Sequence, residues 1–188
     1  MANVDTITGP VGTETLHGAD PGANPRRGLH TESPTAVVVS GFFNPLHGGH
    51  LDMIEAAADL GDRLIVVVNN DDQQVIKKGR VIVDAQARLR IVKALRAVDE
   101  AMIAVDDDRT VSASLALLAD RYRDHRLIFA NGGDRVSGAV VPETTICQER
   151  DIEMVFGVGG VNKADSSSRI NVALGLQDED SAPPSPDS

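Results

Sequence analysis

The chain of 188 residues contains one cysteine, no tryptophan and no long apolar run. Because Cys147 is alone, the sequence excludes an internal disulfide and a zinc site built from cysteines, and it fits a reducing cytosol. No apolar stretch approaches the roughly 20 residues of a membrane span. The N-terminus also lacks the apolar segment of a secretory signal. These absences predict a soluble cytoplasmic protein.

Basic residues are scarce as well: the chain has 18 Lys and Arg residues and 28 Asp and Glu residues, which gives a net charge of −10. Residues 1–34 carry four acids and two arginines, and residues 177–188 carry four acids and no base, which leaves about −4 for residues 35–176. That balance is ordinary for a soluble domain and gives no broad basic surface of the kind that attracts nucleic acid. We therefore expect no nucleic-acid partner, and local groups must hold any bound anion.

The two ends of the chain differ from its middle. Residues 1–34 and 177–188 are rich in small, polar and Pro residues, and their apolar residues are isolated. Such segments bury too little apolar surface to offset the entropy of ordering, which predicts disordered tails around a single domain, residues 35–176. His17 and His30 lie in the first tail, where composition alone accounts for them.

Apolar runs alternate with helical patterns between the tails. The predicted strands are 36–40, 63–69, 100–105, 126–130 and 152–158, and the predicted helices are 48–60, 84–98, 110–123, 142–150 and 167–175. The strands lack clean polar alternation, as expected when both faces are buried. This order predicts an α/β fold, a Rossmann-like five-stranded parallel sheet flanked by helices. Ligands of such sheets bind beyond the carboxyl ends of the strands.

The segment GFFNPLHGGHL, residues 41–51, joins the first strand to the first helix. Gly41 permits a turn that a side chain would hinder. His47 and His50 share one face at the helix N-terminus, where unpaired N–H groups and partial positive charge favour an anion. This pattern favours a phosphate site. Two alternatives remain open, namely core histidines or part of a metal site with an acid such as Asp52.

Two further segments follow predicted strands. Lys77, Lys78 and Arg80 place three cations within four residues, and a bound phosphate would relieve their repulsion; a solvated turn is the alternative. In FANGGDR, Gly132 admits close approach of the backbone to a ligand, and Asp134 is placed to accept bonds from ribose hydroxyls. A tight turn alone would explain the glycines but not their place at the ligand edge.

A serine run and an arginine complete the candidates. Ser166, Ser167 and Ser168 open the last predicted helix, where hydroxyl and N–H donors form a second anion cradle; a plain N-cap would need one serine. Arg88 lies one turn into the second predicted helix. Its guanidinium can bond two phosphate oxygens at once, and the alternative is a surface arginine.

The motif GFFNPLHGGHL is similar to the signature of the nucleotidyltransferase superfamily related to class I aminoacyl-tRNA synthetases, which reads glycine, aromatic, Asp or Asn, Pro, then His-x-Gly-His. LGDRLIVVVNND, ARLRIVKALRAVDE and NGGDR, with their spacing, resemble the adenylyltransferase domain of ADP-heptose synthases and, less closely, glycerol-3-phosphate cytidylyltransferases. The resemblance covers roughly residues 36–172. The chain is thereby identified as a member of the HxGH-motif, cytidylyltransferase-like nucleotidyltransferases.

The resemblance implies roles for individual residues. His47 would contact the α-phosphate under attack, and His50 would steady the triphosphate and the departing pyrophosphate. The catalytic residues that the resemblance implies are His47, His50 and Lys78. The residues that it implies for binding the acceptor phosphate are Lys77, Lys78 and Arg88. For the nucleotide it implies Gly41, Phe42, Phe43, Asn44, His47, His50, Gly132, Asp134, Ser166, Ser167 and Ser168, with the serines on the β- and γ-phosphates.

The implied reaction transfers AMP or CMP from ATP or CTP to a small phosphate or phosphonate monoester and releases pyrophosphate, with Mg²⁺ bound through the nucleotide phosphates. Asn44 stands where the family usually has Asp, and Val161 and Asn162 stand where its cytidylyltransferases carry Arg-Thr, with Lys163 as a substitute. A nucleotide-binding regulator of the same fold and a metal-dependent hydrolase are the alternatives. The nearest blocks favour ATP and a sugar phosphate. Family members often form homodimers, and no segment here identifies an interface.

Overall fold

A computed structural model describes residues 33–132, 141–160 and 167–175 of the chain, and for Ser168 it describes the backbone alone. Nearly all of the two predicted tails lies outside these residues, so their disorder stays a prediction. Asp134 and Ser166 also lie outside the described residues.

The described residues form five strands and six helices. The strands are β1 Thr35–Gly41, β2 Arg63–Val68, β3 Glu100–Ile103, β4 Arg126–Gly132 and β5 Ile152–Val158. The helices are α1 Gly48–Ala58, α2 Asp71–Lys78, α3 Ala85–Lys93, α4 Ser112–Arg121, α5 Thr144–Glu149 and α6 Ser167–Ala173. None of the helices in this part of the chain is long and apolar enough to cross a membrane.

All strand pairs are parallel, in the order β3-β2-β1-β4-β5. The predicted α/β sheet is thereby confirmed. From β1 the chain builds outward to β2 and β3, and it then returns to place β4 on the other side of β1. The direction of the connections thus changes between β1 and β4, and in parallel sheets such a switch point is where ligands bind, beyond the carboxyl ends of the strands. The histidine motif leaves β1 at that switch point.

Both faces of the sheet are covered by apolar side chains. Val37 and Val39 of β1 belong to a cluster that includes Ile54 of α1, whereas Val38 belongs to a second cluster that includes Leu115 of α4. Neighbouring residues of β1 therefore enter opposite layers of the core. This double burial explains why the strands read as continuous apolar runs.

The helix α2 was not predicted, because the segment after β2 was interpreted as a loop. Asn70 caps the helix by accepting a bond from the Gln73 backbone at 2.9 Å, and Gly79 ends it with φ of 72°. Gln73 and Gln74 are 1% and 0% exposed. Because these buried positions carry amides instead of apolar residues, the segment shows no hydrophobic period.

Several elements are shorter than predicted, and three of them show it most clearly. The helix α3 ends at Lys93 rather than at residue 98, although Leu95 and Val98 still pack against the core through tight turns. The helix α4 ends at Arg121, and β3 ends at Ile103. The apolar side chains of this segment therefore pack in the core beyond the end of the helix.

Candidate active site

The beginning of α1 is open to an anion. His47 occupies the N-cap position with an extended backbone, and its side chain makes no capping hydrogen bond. Its carbonyl accepts bonds from the backbone N–H groups of His50 at 2.9 Å and Leu51 at 3.3 Å. The first turn carries no acidic side chain. The positive end of this helix dipole is therefore not neutralised by a carboxylate of its own turn.

The two imidazoles of the motif lie against each other. Their ring centroids are 3.8 Å apart and the planes are tilted by 34°. Burial, followed by the charge of His47, lowers the pKa of His50 from 6.5 to about 4. The His50 ring is therefore neutral near pH 7, and its Nδ1 is buried with no hydrogen-bond partner among the described residues. A bound anion would favour the protonated form of this ring.

Phe43 shapes the turn that carries these rings. It is 3% exposed, its φ is 49°, and its ring meets the His50 ring edge-on at a centroid distance of 5.0 Å. A Cβ atom on Gly41 would lie 2.9 Å from the Phe43 ring. Gly41 therefore provides the space for Phe43, and Phe43 in turn supports His50. Both residues were predicted to bind nucleotide, and the structure gives them this supporting contact.

Asn44 is 4% exposed and its amide nitrogen donates to Gln74 Oε1. Backbone contacts fix the orientation of Gln74, because its Oε1 also accepts from the Ile82 N–H at 3.0 Å and its Nε2 donates to the Val83 carbonyl at 3.3 Å. A carboxylate at position 44 would face the Gln74 oxygen. Asn44, which stands where the family usually has Asp, therefore matches Gln74 of α2, because its amide can donate to the Gln74 oxygen and a carboxylate cannot.

The helix α6 packs against the histidine motif. The Ser167 hydroxyl donates to the Pro45 carbonyl at 3.1 Å, and Asn171 Nδ2 lies 3.5 Å from the Asn44 carbonyl. The structure thus brings the beginning of α6 to the turn that precedes α1. Of the predicted serine cradle, Ser167 lies at this junction with its hydroxyl engaged, while the side chain of Ser168 lies outside the described residues.

The predicted acceptor lysines lie in the last turn of α2 rather than in a loop. Lys77 Nζ is 4.4 Å from the centroid of the half-buried Phe42 ring, a cation–π contact. Lys78 is partly buried, and Arg80 is exposed. Cations stabilise a helix C-terminus, so the lysines also have a local structural role. The contact with Phe42 joins this cationic end of α2 to the histidine motif.

Arg88 lies behind the motif rather than at its surface. The residue is 1% exposed, and four of its five N–H donors are engaged by protein groups. These groups are the carbonyls of Phe42, Asn69 and Val83 and the carboxylate of Asp71. The contact with an acceptor phosphate that the sequence predicts for Arg88 remains a prediction.

Two glycines allow α1 to approach the sheet. A Cβ atom on Gly132 would lie 2.5 Å from Met53 Sδ, so this predicted nucleotide-binding residue makes room for α1. Gly159 has φ of 84°, and its Cβ atom would lie 2.6 Å from Met53 Cα. Sequence reasoning missed Gly159. The signal was the glycine-rich GVGG, residues 157–160, at the end of β5.

A metal site of the kind considered from the sequence gains no support in the described ranges. No group of three or more His, Cys, Asp or Glu side chains there is placed to hold a metal ion. Asp52, the acid considered as a partner for the two histidines, is exposed on α1.

Comparison with solved structures supports the fold. A lipopolysaccharide core biosynthesis protein from Thermoplasma volcanium superposes with a TM-score of 0.51 and 22% sequence identity. The match covers 70% of this chain and 99% of that chain. At this identity the likeness establishes a shared architecture.

Sequence comparison finds closer relatives. The bifunctional protein HldE of Streptomyces coelicolor is 36% identical over 132 residues, which is 69% of this chain and 26% of that protein. The FAD synthase of Pyrococcus horikoshii is 41% identical over 68 residues, which is 36% of this chain and 46% of that protein. The chain thus spans about a quarter of the length of HldE and under half that of the FAD synthase.

The family model described as Cytidylyltransferase-like matches residues 38–170. This range runs from β1 into α6 and includes the histidine motif, α2, Arg88 and the glycine-rich end of β5. It therefore covers both helix beginnings that meet at the candidate site. The chain belongs to the cytidylyltransferase-like family of nucleotidyltransferases.

Proposed function

We propose that this protein transfers AMP or CMP from ATP or CTP to a small phosphate or phosphonate monoester, such as a sugar or polyol phosphate, and releases pyrophosphate. One observation carries the proposal: the histidines at the beginning of α1 and the serine at the beginning of α6 belong to a single junction, joined by the bond from Ser167 to the Pro45 carbonyl. Family membership supports the reaction class.

The acceptor in this reaction supplies its own nucleophile. A phosphate monoester loses its second proton near pH 6 and is largely ionised at pH 7, so no general base is needed. Its oxygen attacks the α-phosphorus while the bond from that phosphorus to the β-phosphate oxygen breaks. Catalysis then depends on positioning and charge stabilisation.

Each half of the junction stabilises a different charge. His47 and the N–H groups that begin α1 face the α-phosphate, while His50 and the serines that begin α6 balance charge on the departing pyrophosphate. We propose that Mg²⁺ enters with the nucleotide, bound through its phosphate oxygens, where it neutralises charge on the leaving group. No acidic, His or Cys cluster among the described residues supplies a separate cage.

The lysines at the end of α2 form the acceptor side of the proposed site. Lys77 contacts the Phe42 ring, so the cations lie beside the first residues of the histidine motif. An acceptor phosphate held there would lie beside the motif whose helix holds the α-phosphate. This arrangement supports an approach of the acceptor phosphate to the α-phosphate, with each anion held by its own cationic group.

The test is a matrix of the four common nucleoside triphosphates against phosphate and phosphonate monoesters, scored by pyrophosphate release with Mg²⁺ present. ATP with a sugar phosphate is the expected productive pair, and CTP with a polyol phosphate or a phosphonate is the next. Nucleotide binding without pyrophosphate release in any pair would contradict transfer and favour a regulatory protein. Activity lost only on removal of tightly bound zinc would favour a hydrolase.

A further inference from the structure

Arg88 is the largest side chain with under 2% exposure among the described residues. A buried guanidinium is costly unless its donors are paired. Its Nε donates to the Val83 carbonyl at 2.8 Å, and Nη1 donates to the carbonyls of Phe42 at 2.9 Å and Asn69 at 2.6 Å. Nη2 pairs with Asp71 at 2.8 Å. Three segments of the chain therefore meet at one side chain: the histidine motif, the junction of β2 with α2, and the residues before α3.

We propose that Arg88 is a positioning residue for the transfer: it holds the histidine motif in register with α2 and so aligns the nucleotide and acceptor halves of the site. This inference rests on the proposed function. It differs from the direct phosphate contact that the sequence predicts, because Arg88 acts here through the backbone of Phe42 and the carboxylate of Asp71.

The path from Arg88 to the imidazoles is short. Its bond fixes the carbonyl of Phe42, and the next residue, Phe43, packs its ring against His50 at 5.0 Å. A shift of the Phe42 carbonyl therefore displaces the side chain that supports His50. Misplacement of reacting groups by about 1 Å can cost about 10²-fold in rate.

The path from Arg88 to the lysines runs through α2. Asp71 is the first residue of α2, and its second oxygen accepts a bond from the Ala85 N–H at 3.1 Å. The carboxylate thus ties the beginning of α2 to the beginning of α3, on which Arg88 stands. Lys77, at the other end of α2, returns to the Phe42 ring. Arg88 closes this loop of contacts between the two halves of the site.

Lysine cannot replace this arginine at the same place. The guanidinium is planar and directs donors to three carbonyls and one carboxylate, whereas an ammonium is a single point charge. Arg88→Lys therefore keeps the charge but loses most of the bonds. Asp71→Asn is the second variant, since it keeps the shape of the side chain but removes the charge and leaves one accepting oxygen for the two bonds from Arg88 and Ala85. Arg150→Lys is the control, because it removes a guanidinium from an ion pair with Asp120 of α4 and has no contact with the histidine motif in the described hydrogen bonds.

The kinetic test measures kcat and both KM values of the three variants with the productive pair from the matrix. Arg88→Lys is expected to lower kcat by about 10- to 100-fold with less than a threefold change in acceptor KM, Asp71→Asn to lower kcat less, and Arg150→Lys to match the wild type. A rise confined to acceptor KM overturns the proposal in favour of direct phosphate contact.

A second readout does not depend on activity. NMR titration of the histidine rings is expected to show the pKa of His50 moving from about 4 toward 6.5 in Arg88→Lys and Asp71→Asn, because the support from Phe43 is loosened. Unchanged titration with unchanged kcat overturns the proposal. If no pair releases pyrophosphate, the proposed function fails and the titration alone decides the role of Arg88. If Arg88→Lys does not fold, Asp71→Asn decides.

Discussion

His47 and His50 lie about one helical turn apart, but their surroundings differ. His47 is the N-cap residue, at the end of the helix where the dipole is positive. His50 lies one turn deeper, against the Phe43 ring, and burial keeps it neutral. Under the proposed function, the His47 ring would stabilise charge that develops at the α-phosphate, and the His50 ring would contact the bound pyrophosphate portion.

Substitution of His47 tests the first role. His47→Ala is expected to lower kcat by about 10²–10³, because removal of one positioned donor to transition-state charge typically costs that factor. The partly exposed side chain makes no capping bond, so the circular dichroism spectrum and melting temperature should stay close to those of the wild type. Normal turnover in a folded His47→Ala protein would show that this assignment is wrong.

The pH dependence of stability tests the second role. The pKa of His50 is lowered from 6.5 to about 4 in the fold, so the unfolded chain binds the proton more readily. The free energy of unfolding should therefore fall as pH falls from 6.5 to 4, and the contribution of His50 is fully retained above pH 6.5. Urea titrations at pH 7 and pH 4.5 should show a smaller difference for His50→Gln than for the wild type; an equal difference would contradict burial of this ring.

At the scale of elements, the position of α1 depends on a glycine that sequence reasoning passed over. Gly159 follows β5 with its Cα close to the backbone of Met53 in α1, where no side chain fits. Gly160, the next residue, has φ of 81°, but a Cβ atom added there would have no heavy atom within 4 Å among the described residues. A substitution at Gly160 would therefore cause backbone strain alone, whereas a substitution at Gly159 would cause the same strain and a steric clash with Met53.

Gly159→Ala is expected to destabilise the protein more than Gly160→Ala. Both substitutions carry the left-handed strain of roughly 1–2 kcal/mol, but only Gly159→Ala also forces α1 away from the sheet. We expect it to cost about 1 kcal/mol or more beyond Gly160→Ala, as overpacking does, and to lower kcat because His50 moves with α1. Equal melting temperatures and equal activity for the two variants would contradict this close approach.

Elements differed in how well the sequence predicted them. Strands buried on both faces gave apolar runs, so all five were predicted within two residues at each end. The helix α2 was missed because its buried positions are Gln73 and Gln74, whose amides satisfy backbone groups rather than form an apolar stripe. The burial of Arg88 was also missed, since arginine is rarely buried without partners and its partners come from distant segments.

At the scale of the whole molecule, the strand order explains why motifs scattered through the chain meet. The strand β1 lies at the centre of the sheet, between β2 and β4, so its carboxyl end faces the segments that follow both neighbours. The sequence predicts that the histidine and serine motifs act on one triphosphate, and the contact of Ser167 with Pro45 places the two helix beginnings together. The strand order, which returns β4 to β1, could not be predicted from the spacing of the motifs. Asp134 and Ser166 lie outside the described residues, so their predicted contacts with the nucleotide stay predictions.

Ligand binding should stabilise the fold, and nucleoside triphosphates should do so more than nucleosides at the same concentration. A triphosphate present at 100 times its Kd adds about 2.7 kcal/mol, which corresponds to about 5–10 °C in Tm for a domain of this size. Differential scanning fluorimetry with ATP, CTP and Mg²⁺ is expected to show this rise. Adenosine and cytidine are the controls, and equal protection by the nucleosides would contradict a site built around phosphates.

The bond between Ser167 and the Pro45 carbonyl joins residues 122 positions apart. The histidine motif is therefore synthesised long before α6, the helix that packs against it. A chain that ended after β5 would contain the five described strands and both imidazoles, but it would lack the side of the proposed site that α6 supplies. Under the proposed function, a triphosphate would therefore be bound only after α6 has been synthesised and has packed against the histidine motif.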